Sequence, residues 1–275
     1  MVKYFNLLMK TSLLKIWLIF NFSLICLQSQ ANSNLDSLKS VIENKSFSDS
    51  IRIVALKKIG FEFLEYSPDS TIAYLDKAMS LAQKKGIQSL IADTYDNKGW
   101  ALITKGKYKP AIEELKKSLH VADQLHDERI LASAYTNLGT AYLYLDYNKT
   151  ALECYEKGLE FSKRINKLKM QSIVLLNIAI IYLDLGNHEK ALKHFSEAEE
   201  ILKKFPKRTK AYLYYNMGLA YEDKNDLDQA FYYFDSALKE AISANNLYLS
   251  GVVHSNLADF YIQVENLDSA EYLFN

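Results

Sequence analysis

The sequence predicts an all-α protein made of repeated helix pairs, and three observations lead to this prediction. A unit of about 40 residues recurs along most of the chain. Apolar residues inside each unit follow the 3.6-residue period of an α-helix. The 275 residues include only three prolines and nine glycines, so helix-breaking residues are scarce. Long helices joined by short turns satisfy all three observations, whereas a many-stranded sheet would need more turn residues.

Small residues mark the helices of each unit and set the length of the repeat. Those of the first helices are Gly60, Gly99, Gly139, Ala179, Gly218 and Ala258. Those of the second helices are Ala111, Ala151, Ala191, Ala230 and Ala270, with Thr71 in the first unit. Both series advance by 39 or 40 residues and lose one residue between Ala191 and Gly218. Pro206 lies in that interval and lacks a backbone N–H, so we expect a helix to end there.

The spacing of residues in the third unit shows how each unit folds. Its first helix carries Tyr135, Leu138, Gly139 and Tyr142 on one face, and its second helix carries Ala151, Leu152, Tyr155 and Leu159. Residues 146–149 supply the turn between them, as residues 186–189 and 224–226 do in later units. Glycine or alanine at the crossing lets the two helix axes approach closely. No unit can bury its apolar face alone, so we expect stability to come from stacking.

These residues carry a family resemblance. The pattern aromatic-x2-Leu-Gly-x2-Tyr, followed by Ala-x3-aromatic, resembles the tetratricopeptide repeat (TPR), here with units of about 40 residues. The resemblance implies a right-handed α-solenoid whose first helices line a concave groove that holds a protein or an extended peptide. Five repeats and a truncated sixth then occupy residues 51–275, and residues 32–50 form a capping helix before them.

The N-terminus, residues 1–31, has the layout of a secretory signal peptide. Lysines at positions 3, 10 and 15 precede a mainly apolar run over residues 16–27, and Ser29 and Ala31 are the small residues at −3 and −1 of a cleavage site. A run of this length covers about 18 Å, less than the roughly 30 Å core of a bilayer. We therefore expect an exported protein, periplasmic or membrane-associated. Extension of the run back to Leu7 would instead form an uncleaved membrane anchor.

Charge and motif content exclude several classes of function. The chain has 33 basic and 33 acidic residues, and 30 basic against 33 acidic without residues 1–31, so no broad face for nucleic acid is expected. No phosphate-binding loop, nucleophile elbow or zinc-binding motif occurs. His188 and His194 lack the spacing of helical metal ligands, and His254 replaces a packed tyrosine. Cys154 has no basic neighbour that would activate it. We predict no catalytic residue, metal or cofactor.

An asparagine lies two positions before the crossing residue in five successive repeats: Asn97, Asn137, Asn177, Asn216 and Asn256. An amide both donates and accepts hydrogen bonds, so it can pair with a peptide backbone of any sequence. The resemblance is closest to longer-repeat TPR proteins such as kinesin light chain, where asparagines in this part of the helix contact an extended peptide. In the other interpretation, which stays open, each asparagine bonds the adjacent helix and holds the repeats together.

Residues that share this stripe of the first helices complete the predicted groove. The predicted peptide-binding residues are Asn97, Trp100, Asn137, Tyr144, Asn177, Tyr212, Asn216, Asp223 and Asn256. The same positions include Asp93, Asp184, Asp223 and Asp259 but no lysine or arginine, which favours a neutral or basic ligand.

A signal peptide followed by repeats of this length resembles the sensor region of bacterial signalling proteins. In those proteins a membrane helix and a histidine-kinase or helix-turn-helix output follow the repeats. The resemblance implies a non-enzymatic binding protein that senses a partner outside the cytoplasm, with more protein after Asn275. The alternative is a cytoplasmic, peptide-responsive TPR regulator with an uncleaved N-terminal anchor.

Overall fold

A computed structural model describes residues 35–64, 66–205 and 210–263. These residues form helices and no strand. The helices are α1 (residues 35–43), α2 (Asp49–Glu62), α3 (Pro68–Lys84), α4 (Gln88–Thr104), α5 (Tyr108–Gln124), α6 (Glu128–Leu143), α7 (Asn148–Arg164), α8 (Leu168–Asp184), α9 (His188–Leu202), α10 (Ala211–Asp223), α11 (Leu227–Ser243) and α12 (Leu247–Gln263). The predicted signal peptide, Pro206 and the second helix of the sixth repeat lie outside the described residues.

The described helices fall into two compact units, α1 to α4 and α5 to α12, which divide between Lys105 and Gly106. In the first unit α2 packs on α3 and α3 packs on α4. In the second unit every helix from α5 to α12 packs on the next one along the chain. First helices of successive repeats also touch: α6 contacts α8, α8 contacts α10 and α10 contacts α12. Both units are therefore built from stacked helix-turn-helix repeats, and the predicted α-solenoid class is confirmed.

Most of the described turns between helices share one backbone conformation. A residue with positive φ ends most of the described helices, at Gly86, Gly106, His126, Asp146, Asn166, Gly186, Asn225 and Asn245. In the α5–α6 turn, the N–H of Asp127 donates to the carbonyl of Ala122 at 3.0 Å, which is the long hydrogen bond of a Schellman motif. The three turns predicted in the third, fourth and fifth units are confirmed, because Asp146, Gly186 and Asn225 are among these residues.

The crossing glycines allow the close helix approach that the sequence predicts. A Cβ atom built on Gly139 would lie 2.7 Å from the ring of Tyr155, and one built on Gly218 would lie 2.5 Å from the ring of Phe234. Both rings are fully buried, so neither can move aside. In the first repeat a hydrogen bond joins the two helices at their crossing, because the buried hydroxyl of Thr71 donates to the carbonyl of Gly60 at 2.8 Å. This bond explains why threonine replaces the recurring alanine there.

A second small residue on each second helix also allows close contact with a first helix, and it was not identified from the sequence. Seven residues after the small residue of each second helix lies another buried small residue: Ala78, Ser118, Gly158, Ala198 and Ala237. A Cβ atom on Gly158 would lie 2.7 Å from the hydroxyl of Thr136 on α6. The spacing was available in the sequence and could have identified this series.

Within the described ranges, no helix combines the length and the apolar character needed to cross a membrane.

Candidate peptide-binding surface

The first helices of the second unit, α6, α8, α10 and α12, form a continuous row that we call the first-helix row. One stripe of this row carries the predicted asparagines, with large apolar side chains beside them. Tyr144 is 58% exposed and Tyr212 is 44% exposed. Ile173 was not among the predicted site residues, yet it is 46% exposed and lies four positions before Asn177. That spacing would have placed Ile173 on the stripe from sequence alone.

Asn177 joins a hydrogen-bonded chain that crosses three helices. Its side chain on α8 bonds the hydroxyl of Tyr155 on α7. The same hydroxyl lies 3.0 Å from the hydroxyl of Thr140 on α6. Burial raises the pKa of Tyr155 from 10.0 to about 12, so the phenol stays protonated and can donate within this chain even in moderately alkaline solution. At Asn177, therefore, the amide contributes to packing between repeats.

Asn256 also bonds a tyrosine from a neighbouring helix. Its Nδ2 donates to the hydroxyl of Tyr215 on α10 over 3.4 Å, a long hydrogen bond. Asn216 differs, because its Nδ2 donates to the carbonyl of Tyr212 in its own helix at 2.7 Å. Among the residues described here, no donor reaches the Oδ1 atom of Asn216. Asn137 on α6 is half-buried. The asparagines thus share a sequence position but not a set of partners.

Two predicted site residues, Asn97 and Trp100, lie on α4 in the first unit, where both are half-buried. Asp93 precedes them on the same helix and forms an ion pair with Lys57 of α2. The side chains of this pair are 14% and 11% exposed, so the carboxylate is largely shielded. The expectation that Asp93 adds negative charge to the groove was wrong, because a lysine from the adjacent helix neutralises it.

Two carboxylates at the C-terminal end of the row are exposed. Asp184 ends α8 and Asp223 ends α10. Partial burial raises the pKa of Asp184 above its usual range. The Asp223 side chain is 56% exposed, and its Oδ2 lies 4.0 Å from Nδ1 of His188. Negative charge at a helix C-terminus opposes the helix dipole, so neither position favours helix stability. The side chain of Asp259 is outside the description.

His194, His254 and Cys154 are at least partly buried side chains, whereas His120 and His126 are exposed. His254 Nδ1 lies 2.8 Å from the carbonyl of Ser250 in its own helix. His194 stacks on Tyr182 with ring centroids 5.7 Å apart, and burial lowers the pKa of its imidazole. Burial raises the pKa of Cys154 to about 11, in line with an inert thiol. In the described part of the chain, no three side chains of His, Cys, Asp or Glu come together as metal ligands.

Solved structures with a similar fold come from several kinds of protein. The structure of BtubC (BKLC) from P. vanneervenii has a TM-score of 0.64 and 22% identity, over 76% of this chain and 87% of that chain. A signal transduction ATPase with numerous domains and a TPR sensor, from Pyrococcus horikoshii, has a TM-score of 0.71 and 21% identity, over 81% and 34%. A Rap protein complexed with Competence and Sporulation Factor has a TM-score of 0.63 and 17% identity, over 90% and 69%.

The family follows from matches to its repeat models. At identities below 25% the structural similarities establish the fold alone, and this chain spans about a third of the ATPase. No curated protein sequence matches the chain. Models described as tetratricopeptide repeat match residues 92–123, 132–164 and 170–243, together about half of the sequence. The chain belongs to the tetratricopeptide-repeat family.

Proposed function

We propose that this chain is a non-enzymatic scaffold that binds a protein or an extended peptide along the first-helix row. The observation that carries the proposal is the exposure of large apolar side chains, Ile173 and Tyr212, on the same stripe as the Asn216 amide. Apolar side chains supply contact area, and an amide with a free oxygen can accept a hydrogen bond from a peptide N–H. The solved complex of a Rap protein with Competence and Sporulation Factor supports ligand binding by a related fold.

The stripe can be tested with a display library of random peptides. Packed helices lie about 10 Å apart, and an extended chain covers about 3.3 Å per residue. A peptide that passes all four helices of the row therefore needs about ten residues. We expect the purified protein to select a family of such peptides, and Ile173→Ser with Tyr212→Ser to weaken their binding about tenfold or more by loss of apolar contact.

A matched control comes from the second helix α11. Tyr232 and Ile242 are 59% and 60% exposed, so Tyr232→Ser with Ile242→Ser removes similar apolar groups from another surface. The control variant should bind the selected peptides as the unmodified protein does, and both double variants should keep its melting temperature. Equal losses in the two double variants would contradict a site on the first-helix row.

We further propose that the chain works outside the cytoplasm as the input region of a larger signalling protein. The layout of residues 1–31 supports export, and a TPR sensor occurs in the similar ATPase from Pyrococcus horikoshii. Protease treatment of intact cells tests location, because an exported protein is cleaved only when the outer permeability barrier is opened. Protection until the cytoplasmic membrane is broken would favour the cytoplasmic regulator with an N-terminal anchor. Gene sequence beyond Asn275 tests whether an output region follows.

A further inference from the structure

We infer that the first-helix row selects an extended peptide with lysine or arginine side chains, held by Asp184 and Asp223. This inference rests on the proposed function and adds the chemistry of the ligand. The observation behind it is the distribution of charge along the first-helix row. Basic side chains lie toward the N-terminal ends of these helices, acidic side chains lie toward the C-terminal ends, and apolar and amide groups lie between them.

The stripe of α8 shows the arrangement. Lys169, Ile173, Asn177 and Asp184 follow one another at helical spacing, and the lysine and the aspartate are both exposed. On α6 the same stripe begins with the exposed Arg129, and on α10 it ends with Asp223. The N-terminal edge of the row is therefore basic and the C-terminal edge is acidic.

Four aspartates of the first unit pair with a lysine on, or directly after, a neighbouring helix, and Asp184 and Asp223 lack such a partner among the described residues. These ion pairs are Asp49 with Lys85, Asp69 with Lys105, Asp76 with Lys98, and Asp93 with Lys57. In the row, no lysine or arginine among the described residues pairs with Asp184 or Asp223. Asp223 contacts Nδ1 of His188 at 4.0 Å, and this imidazole is charged only when protonated. Both carboxylates also oppose the dipoles of their own helices. A cation supplied by a ligand would give these carboxylates a charged partner and would offset their unfavourable interaction with the helix dipoles.

The apolar part of the row suits the stems of basic side chains. Lysine and arginine lay their methylene groups along apolar surface while the charged ends stay in water. Ile173 on α8 and Tyr212 on α10 provide such surface between the two edges, and both are about half exposed. The Tyr212 ring can also attract a cation through its face. Charge complementarity thus points to a peptide whose basic side chains lie toward the ends of α8 and α10.

Two labelled ten-residue peptides test the inference. Both have an alternating alanine and leucine background, and one carries two lysines where the other carries two glutamates. Measured by fluorescence anisotropy at low salt, the purified protein should bind the lysine peptide at least tenfold more tightly, and this ratio should fall as salt is raised. Asp184→Asn with Asp223→Asn should bring the ratio close to one. Asp184→Lys with Asp223→Lys should reverse it.

Controls separate this site from a general effect of net charge. Asp123→Asn with Asp235→Asn removes two carboxylates from the second helices α5 and α11, so it should leave the ratio unchanged. Circular dichroism should show the same helicity in every variant.

The outcomes also distinguish the inference from the proposed function. Equal affinity for the two peptides, with binding still lost in the Ile173→Ser and Tyr212→Ser variant, would overturn the basic ligand and leave the peptide-binding row intact. Binding of neither peptide, together with no enrichment from the random library, would overturn both.

Discussion

The asparagine series shows that residues at one repeat position can have different tasks. Asn177 bonds the buried Tyr155 hydroxyl of the neighbouring helix, whereas Asn216 bonds a carbonyl of its own helix. For Asn177 and Asn216, the difference follows from the second helix that packs against each of them. Position 155 is a tyrosine, but its equivalents Phe195 and Phe234 have no hydroxyl to offer. The asparagine series looks uniform in sequence, but it contains amides that bond a neighbouring helix and an amide that bonds only its own helix.

This difference predicts unequal effects of the same substitution. Asn177→Ala should lower the free energy of unfolding by about 1 kcal/mol, because it removes a hydrogen bond to the buried Tyr155 hydroxyl. Asn216→Ala should change it by less than about 0.5 kcal/mol, because only a bond within one helix is lost. Urea denaturation followed by circular dichroism measures both. Equal costs would mean that the two amides have the same role.

At the scale of the helix pair, local backbone geometry sets the repeat. Most of the described turns place one residue at positive φ, and the small residues at the crossings let the helices approach until ring and backbone touch. Gly186 has φ of +70°, and its missing Cβ would meet no atom within 4 Å. The requirement for glycine there is purely conformational, which separates it from the crossing glycines.

Substitutions of Gly186 follow from that geometry. Gly186→Ala should cost about 1 kcal/mol of stability, because an alanine Cβ is strained in the left-handed region. Gly186→Asn should cost less, since asparagine occupies this conformation at Asn166, Asn225 and Asn245. Gly251 is the control, because it is helical with open space around it, and Gly251→Ala should stabilise by up to about 1 kcal/mol. Thermal or urea unfolding measures the change in stability of each variant. Equal losses of stability in Gly186→Ala and Gly251→Ala would contradict a special conformational role for Gly186.

At the scale of the whole molecule, we expect one thiol and three tyrosine hydroxyls, buried or partly buried, to make folding sensitive to alkali. Burial raises the pKa of Cys154 from its ordinary 9.0 to about 11, and those of Tyr155, Tyr214 and Tyr233 from 10.0 to about 12. The unfolded chain loses these protons at lower pH than the folded protein. The folded state therefore binds more protons in this window, and stability falls as pH rises.

We expect the free energy of unfolding to be steady near pH 8 and to fall from about pH 9 to pH 12. Each group contributes a slope of up to about 1.4 kcal/mol per pH unit between its unfolded and folded pKa values. Tyr155→Phe should reduce the slope above pH 10, because phenylalanine has no hydroxyl that can lose a proton. The ring should fit, since phenylalanine fills the equivalent position at Phe195 and Phe234. The same variant should lower stability at pH 8 through its lost hydrogen bonds. Urea titrations across this pH range provide the measurement.

Much of this protein could be predicted from its sequence because the underlying interactions are local. Helical periodicity, the turns at Asp146, Gly186 and Asn225, and the crossing at Gly139 depend on residues within one repeat. Each repeat also packs on its immediate neighbours, so a constant spacing of small residues was enough to identify the fold class.

The tertiary structure decided how individual side chains are used. Asp93 and Lys57 are 36 positions apart in sequence, and Asn177 and Tyr155 are 22 apart, so no pattern within one helix pairs them. Partners of this kind come from whichever helix packs alongside, and their choice depends on side-chain reach and burial. For that reason the sequence alone established a helical repeat with an asparagine stripe. Only the packed structure showed that Asn177 and Asn256 bond a tyrosine of a neighbouring helix and that Asp184 and Asp223 are exposed at the ends of their helices.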